Sequence, residues 1–359
     1  MRKHNAPTTF FLIAATFSLL GLMAGCSSLG PRTLDRDQIN YGNSIGDNWK
    51  NQMLANLVKL RFIDMPVFVD VGQIVAGYTL ETQVNGALGF GTTLGGGNSQ
   101  SLGAAGRYTD RPTITYMPKT GEDYLRSLLE PVNPGALLSL IAAGYNTELI
   151  FPWTVESING VRNFSGVRED ALQADPAFYE LVKLLDLMQK SGSVGFEVKE
   201  DPGTGSSILF IFSSRNMSQE ALAKRKRVRE LLGLDPGQSE FRVVYSPFPL
   251  EGNVLALQTR SILQIMMAMA GFVEVPADKA DRAAVVSELP PGIRQPFTVR
   301  TSTERPDDPF ASFYYHGDWY WIDHADLSSK RVFTLMLFMT TLTNRAGAES
   351  APVLTIPTN

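Results

Sequence analysis

The chain of 359 residues is poor in the side chains that most often carry chemistry. It has one cysteine, Cys26, and three histidines, His4, His316 and His324. A lone thiol excludes an internal disulfide framework and a cysteine-rich metal site. Basic residues are in the minority, 32 Lys and Arg against 36 Asp and Glu, for a formal net charge of −4. That balance lacks the electrostatic footprint of a nucleic-acid-binding surface, so no nucleic-acid partner is expected. No apolar run beyond the N-terminus approaches the roughly 20 residues that a membrane helix needs. Stability must come from burial, and 44% hydrophobic residues over this length suffice for one or two cores.

Nucleotide and nucleophile motifs are missing as well. Gly89-Phe90-Gly91-Thr92-Thr93-Leu94-Gly95 approaches a dinucleotide fingerprint, but its third glycine comes one place late. No helix follows to receive a pyrophosphate at its N-terminus. Gly95 to Gly97 lack the Lys-Ser/Thr of a phosphate-binding loop. Gly192-Ser193-Val194-Gly195 lacks the frame of a nucleophile elbow. No cofactor and no enzymatic activity are expected.

What is present begins at the N-terminus. Arg2, Lys3 and His4 precede the apolar run Phe10 to Met23 and the small residues Ala24 and Gly25, the layout of a secretory signal peptide over residues 1–25. Leu22-Met23-Ala24-Gly25-Cys26 resembles the lipobox of bacterial lipoproteins. The resemblance implies that the Cys26 thiol is acylated and that Cys26 becomes the mature N-terminus. Ser27, where an Asp would divert the protein, resembles the outer-membrane sorting pattern. Losing residues 1–25 removes Arg2 and Lys3 and no acid, leaving 30 basic against 36 acidic residues and a net charge of −6. The expected location is the outer membrane, lipid-anchored and facing the periplasm.

The body reads as α+β. Residues 26–43 are expected to form a lipidated tether, and Ser44 to cap a helix reaching about Arg61 with Ile45, Trp49, Met53, Leu57 and Leu60 as its apolar stripe. From Val67 to Met117 the alternation of apolar and polar positions predicts a long glycine-rich β-hairpin with a loop at Gly95 to Ser99. Its apolar face (Tyr78, Leu80, Thr82, Val84, Gly86, Leu88, Phe90) is expected to pack on the Ser44–Arg61 helix. Helices follow at Glu122–Leu129, Gly135–Ala143, about Thr154–Val161 and, behind Asp175-Pro176, Ala177–Gln189. This helical region closes a segment spanning 44–190. Residues 191–359 read as three strand–strand–helix units with antiparallel sheet, interrupted by a surface excursion over 276–309 and ending in a strand at Val353–Ile356.

Three polar clusters stand out. His316, Asp323, His324 and Asp326 have the donor types for a metal, although a hairpin turn and a helix cap explain the same residues. Tyr314, Trp319 and Trp321 could form an aromatic platform for a sugar, or a core face with a cross-strand pair. Lys224, Arg225, Lys226, Arg227 and Arg229 could meet anionic headgroups, or form the solvated face of an amphipathic helix with Glu220 in support of Lys224.

Several stretches are similar to those of uncharacterised Gram-negative envelope lipoproteins: Asn56 to Arg61, Arg111 to Tyr116, Ser157 to Gly160 and Trp321 to Arg331. The resemblance implies an envelope lipoprotein and carries no catalytic residue with it. The leading expectation is a non-enzymatic scaffold or accessory of an envelope assembly, with a protein partner or self-association. One rival is an oligomeric pore or export lipoprotein that inserts the 67–117 hairpin. Another is an envelope glycan-binding module or hydrolase.

Overall fold

The computed structural model describes residues 29–75, 78–89, 99–111, 113–164, 174–201, 205–213, 218–286 and 289–343. The leader, Cys26, the loop over 90–98 and the strand expected at Val353–Ile356 lie outside them. Contacts divide the chain into residues 1–49 and residues 50–359.

The first helix, α1 (Leu29–Arg61), starts well before Ser44, so most of the expected tether is helical. Ser44 is no cap: its hydroxyl donates to the Asn40 carbonyl four residues back, the usual bond of an interior helical serine. Beyond residue 49 the helix buries Met53, Leu54, Leu57 and Val58, while Trp49, expected in the same stripe, is 46% exposed. The end of α1 is stitched to the body by Arg61, whose guanidinium donates to the carbonyls of Val273 and Ala284. Burial holds the Arg61 pKa below its ordinary value.

The body is an α+β fold around a six-stranded sheet ordered β6-β5-β10-β9-β8-β7. Its strands are β5 (Val155–Ile158), β6 (Val161–Arg162), β7 (Val194–Asp201), β8 (Gly205–Phe212), β9 (Glu240–Val244) and β10 (Val254–Thr259). The sheet crosses residue 190, so 44–190 and 191–359 are not separate domains. It is also mixed: β9 and β10 run parallel, whereas the other pairs are antiparallel. The helix expected at Thr154–Val161 is instead the hairpin β5–β6. Asn159 (φ 45°) and Gly160 (φ 91°) turn it, the residue pair a two-residue type I′ loop demands.

The helices of the body are α2 (Glu122–Leu129), α3 (Pro134–Ala142), α4 (Thr147–Thr154), α5 (Pro176–Lys190), α6 (Gln219–Leu232), α7 (Ile262–Ala270) and α8 (Leu327–Thr343). Asp175 accepts from the Ala177 amide with Pro176 in the first turn, and α5 buries Phe178, Leu181, Leu185 and Met188. Ser261 and Gln264 form a reciprocal capping box that starts α7. Between α4 and α7 lies Arg260, only 1% exposed. It pairs with Glu156 at 2.7 Å, donates to the carbonyls of Pro152, Trp153 and Phe164, and lies over the Phe164 ring. A buried charge is tolerated only when satisfied to this degree.

A second, three-stranded sheet has the order β11-β13-β12, from β11 (Arg300–Ser302), β12 (Ala311–Tyr315) and β13 (Asp318–Ile322). The stretch 276–309 is thus more than an excursion, since it supplies β11 and the fully buried Phe297 and Val299.

Candidate functional site

The remaining strands form one hairpin. β1 (Val69–Val75) pairs with β4 (Thr113–Pro118), and β2 (Tyr78–Gly89) pairs with β3 (Ser99–Asp110), all antiparallel. The two ladders keep the same register, Gln73↔Thr115 in the first and Tyr78↔Asp110 to Gly89↔Ser99 in the second. The first carries a bulge at Gly72, where an added Cβ would lie 2.5 Å from the end of the Met117 side chain.

The register sorts the positions of β2 and β3 by parity. Glu81, Gln83, Asn85, Gly103, Ala105 and Arg107 share one face, and all are exposed. The alternate register positions run from Tyr78↔Asp110 through Val84↔Ala104 to Leu88↔Gln100, and in β4 Ile114 and Tyr116 alternate with Thr113 and Thr115. Ile114 is 40% and Tyr116 58% exposed, so these apolar side chains at the root are uncovered. The side chains expected to pack the hairpin's apolar face on α1 lie outside the described residues. Among the described residues β2 and β3 pair with each other and join no further strand.

Only the root is fastened. The Gln52 carboxamide donates to the Val69 carbonyl (2.9 Å) and accepts from its amide (3.2 Å). One helical turn later Asn56 does the same for Val67, at 2.9 Å each way. Two side chains on α1 thus stand in for a neighbouring strand. Asp70 pairs with Lys119 at 2.9 Å across the root. Reading the sequence missed this clamp; its signal is a pair of carboxamides four apart, with Asn56 among apolar neighbours and 1% exposed.

The aromatic cluster at the C-terminal sheet contains the expected cross-strand pair, but on the outer face rather than the core face. The core side of that sheet holds Ala311, Tyr320 and Ile322, whereas Tyr314, Trp319 and Trp321 share the outer face with Arg300. Tyr314 and Trp319 form a cross-strand pair with centroids 5.3 Å apart. Guanidinium groups lie over both indoles, Arg305 on Trp319 at 5.3 Å and Arg300 on Trp321 at 5.6 Å, where a sugar would have to stack.

The possible metal donors are not brought together. His316 (φ 49°) and Gly317 (φ 95°) make the turn between β12 and β13, whereas His324 follows β13, a five-residue strand roughly 16 Å long. The His316 carbonyl accepts from Lys279, which also pairs with Asp318. Its ring lies against Tyr315, whose hydroxyl donates to Asp64. Burial and that carboxylate push the Tyr315 pKa up to about 12, and the same bond holds Asp64 below the usual carboxylate range. Asp323 accepts from the Ala325 amide. Asp326 starts α8 by accepting from the amides of Ser328 and Ser329 and the Ser329 hydroxyl. Burial raises its pKa, but these bonds outweigh burial and the carboxyl sits below its ordinary value. Among the described residues no three His, Cys, Asp or Glu side chains converge as metal ligands would.

The basic run on α6 is paired internally. Lys224 meets Glu220 at 2.6 Å, Lys226 meets Glu230 at 3.9 Å, and Arg227 grips Glu180 through two bonds of 2.7 and 2.9 Å. Arg225 and Arg229 lie over the Phe212 ring and donate to backbone carbonyls of Ser213, Pro236 and Gln238. They line an open groove of about 690 Å³ with Leu222, Leu234 and Pro236. Each polar cluster is thus engaged with its own surroundings, and among the described residues β2 and β3 have no strand neighbour but each other. No protein family, no curated protein and no solved structure matches this chain.

Proposed function

We propose that this protein is a non-enzymatic lipoprotein of the outer membrane, anchored at Cys26 and facing the periplasm, that serves as a structural component of an envelope assembly through its hairpin. The observation that supports the reading is the two-stranded β2–β3 ladder with its open edges, on a body whose charged clusters are spent on internal pairing. An isolated two-stranded ladder is marginal in water, so a stretch this long implies a surface that completes it.

The pore reading draws support from one further feature. Each of β2 and β3 has 12 residues, above the roughly 9–11 that a tilted membrane strand requires, and polar and apolar positions alternate along them. Two strands cannot close a barrel, so this reading needs several copies.

The test is to solubilise envelopes in mild detergent and size the full chain. The protein should carry acyl chains on Cys26 and run in a complex larger than a monomer. Exchanging residues 78–110 for a short Gly/Ser link should leave acylation intact and release the monomer. Cys26→Ser should lose both acylation and outer-membrane fractionation. An acylated wild-type chain that runs as a monomer contradicts the assembly role, and a Cys26→Ser chain still floating with outer membrane contradicts the anchor.

A further inference from the structure

We propose that the hairpin's partner is a second copy of this chain, joined head to tail, with the open edge of β2 in one copy hydrogen-bonded to the open edge of β3 in the next. The inference rests on the reading of the hairpin as an assembly element and names what it assembles with.

Three observations lead there. First, β2 and β3 form a two-stranded sheet, so among the described residues each presents one unpaired edge over 12 residues. A backbone edge of that length is a template for another strand. Second, the usual guards against edge pairing are absent from these strands. Neither contains Pro or Lys, and the hairpin's bulge sits in β1 at its root. The charged residues are few: Glu81 in β2, and Arg107 and Asp110 in β3.

Third, the charges are placed to select a polarity. Glu81 and Arg107 stand opposite each other in the register, on the exposed polar face. When the β2 edge of one copy meets the β3 edge of the next at the same level, Glu81 faces the neighbour's Arg107. Opposite charges then alternate along the row at every junction, which favours this pairing. A symmetric β2-to-β2 join brings no Arg107 to Glu81 and leaves both β3 edges bare. Head-to-tail addition leaves open edges until a ring closes, and closure is what removes them. In such a ring the rows Glu81↔Arg107, Gln83↔Ala105 and Asn85↔Gly103 all lie on one side of the wall, and the alternate rows lie on the other.

The experiment uses the full, lipidated chain. Two differently tagged copies are produced together, with a benzophenone amino acid at Gln83 of one, and are irradiated in the envelope. The expected product carries both tags, its adduct mapping to residues 103–107 of the other copy. Glu81→Lys and Arg107→Glu should each lower that yield about fivefold. The double exchange should restore it, with acylation and the melting of the body unchanged throughout. Adducts between tags that map to β2 overturn the head-to-tail polarity. Adducts only to a different envelope protein overturn self-pairing and leave the assembly reading standing. A wild-type chain that gives no intermolecular adduct and runs as a monomer overturns both.

Discussion

Two hairpins of this chain have met opposite fates. The ladder β7–β8 runs for eight pairs from Val194↔Phe212 to Asp201↔Gly205, and β8 goes on to pair with β9. Its second strand reads Ile208-Leu209-Phe210-Ile211-Phe212, with Phe210 and Phe212 each 1% exposed. Each such aromatic contributes up to about 3 kcal/mol on burial, enough to hold a strand against its neighbours. The ladder β2–β3 is longer, but Gly86, Gly89, Gly103, Gly106, Ala87, Ala104 and Ala105 take many of the places where such volume would sit. Backbone pairing alone therefore does not decide where a hairpin lies; side-chain volume does.

The largest expected effect lies on the covered side of this contrast. Arg260→Ala leaves Glu156 and three backbone carbonyls without their partner. Urea unfolding should show a loss of about 3–5 kcal/mol. A loss below about 1 kcal/mol would mean that the body is not organised around this charge.

Next comes the join between the two regions. Asn56→Leu strips both bonds from the backbone of Val67, at a position of α1 that is itself buried. The expected cost is about 1–3 kcal/mol. Amide exchange should quicken at Val67 to Val75 more than in β8, and equal quickening in both would refute the clamp.

A smaller effect has a pH signature. The Asp326 pKa is lower folded than unfolded, so its contribution is present above the unfolded value and fades as pH falls through the folded one. Asp326→Ala should cost about 1 kcal/mol at neutral pH. The gap between variant and parent should close in acid, and a gap independent of pH would assign the loss to packing instead.

The smallest effect falls on the two-stranded hairpin. Exchanging residues 78–110 for a short link should shift unfolding of the body by less than about 1 kcal/mol, because only loop length changes. A larger loss would show that the ladder is part of the core after all.

Much of this was legible before any coordinates. The α5 helix with its Asp175-Pro176 start, the β12–β13 hairpin turned at His316-Gly317, the strand–strand–helix order and the full length of the long hairpin all follow from local signals. The misread places have local causes too. Thr154–Val161 was open to a helical spacing, yet Asn159-Gly160 inside it is a strong hairpin signal. The polar stretch before Ser44 has no apolar stripe to betray a helix, and α1 runs through it. Trp319 and Trp321 alternate with Tyr320, and nothing in the alternation says which set faces inward.

By itself the sequence determined most of the periodicities: the capped helices, the turn at His316-Gly317, and that one hairpin would be long and low in charge. These follow from bonds and steric limits within a few residues. Only the tertiary structure decided that β5 and β6 join β10 across some hundred residues of chain, that Arg260 is a buried centre, that Gln52 and Asn56 clamp the hairpin root, and that β2–β3 stays two-stranded among the described residues. Those outcomes depend on which surfaces compete successfully for one another, and the competition is settled by the volume and satisfied polarity of side chains far apart in the chain.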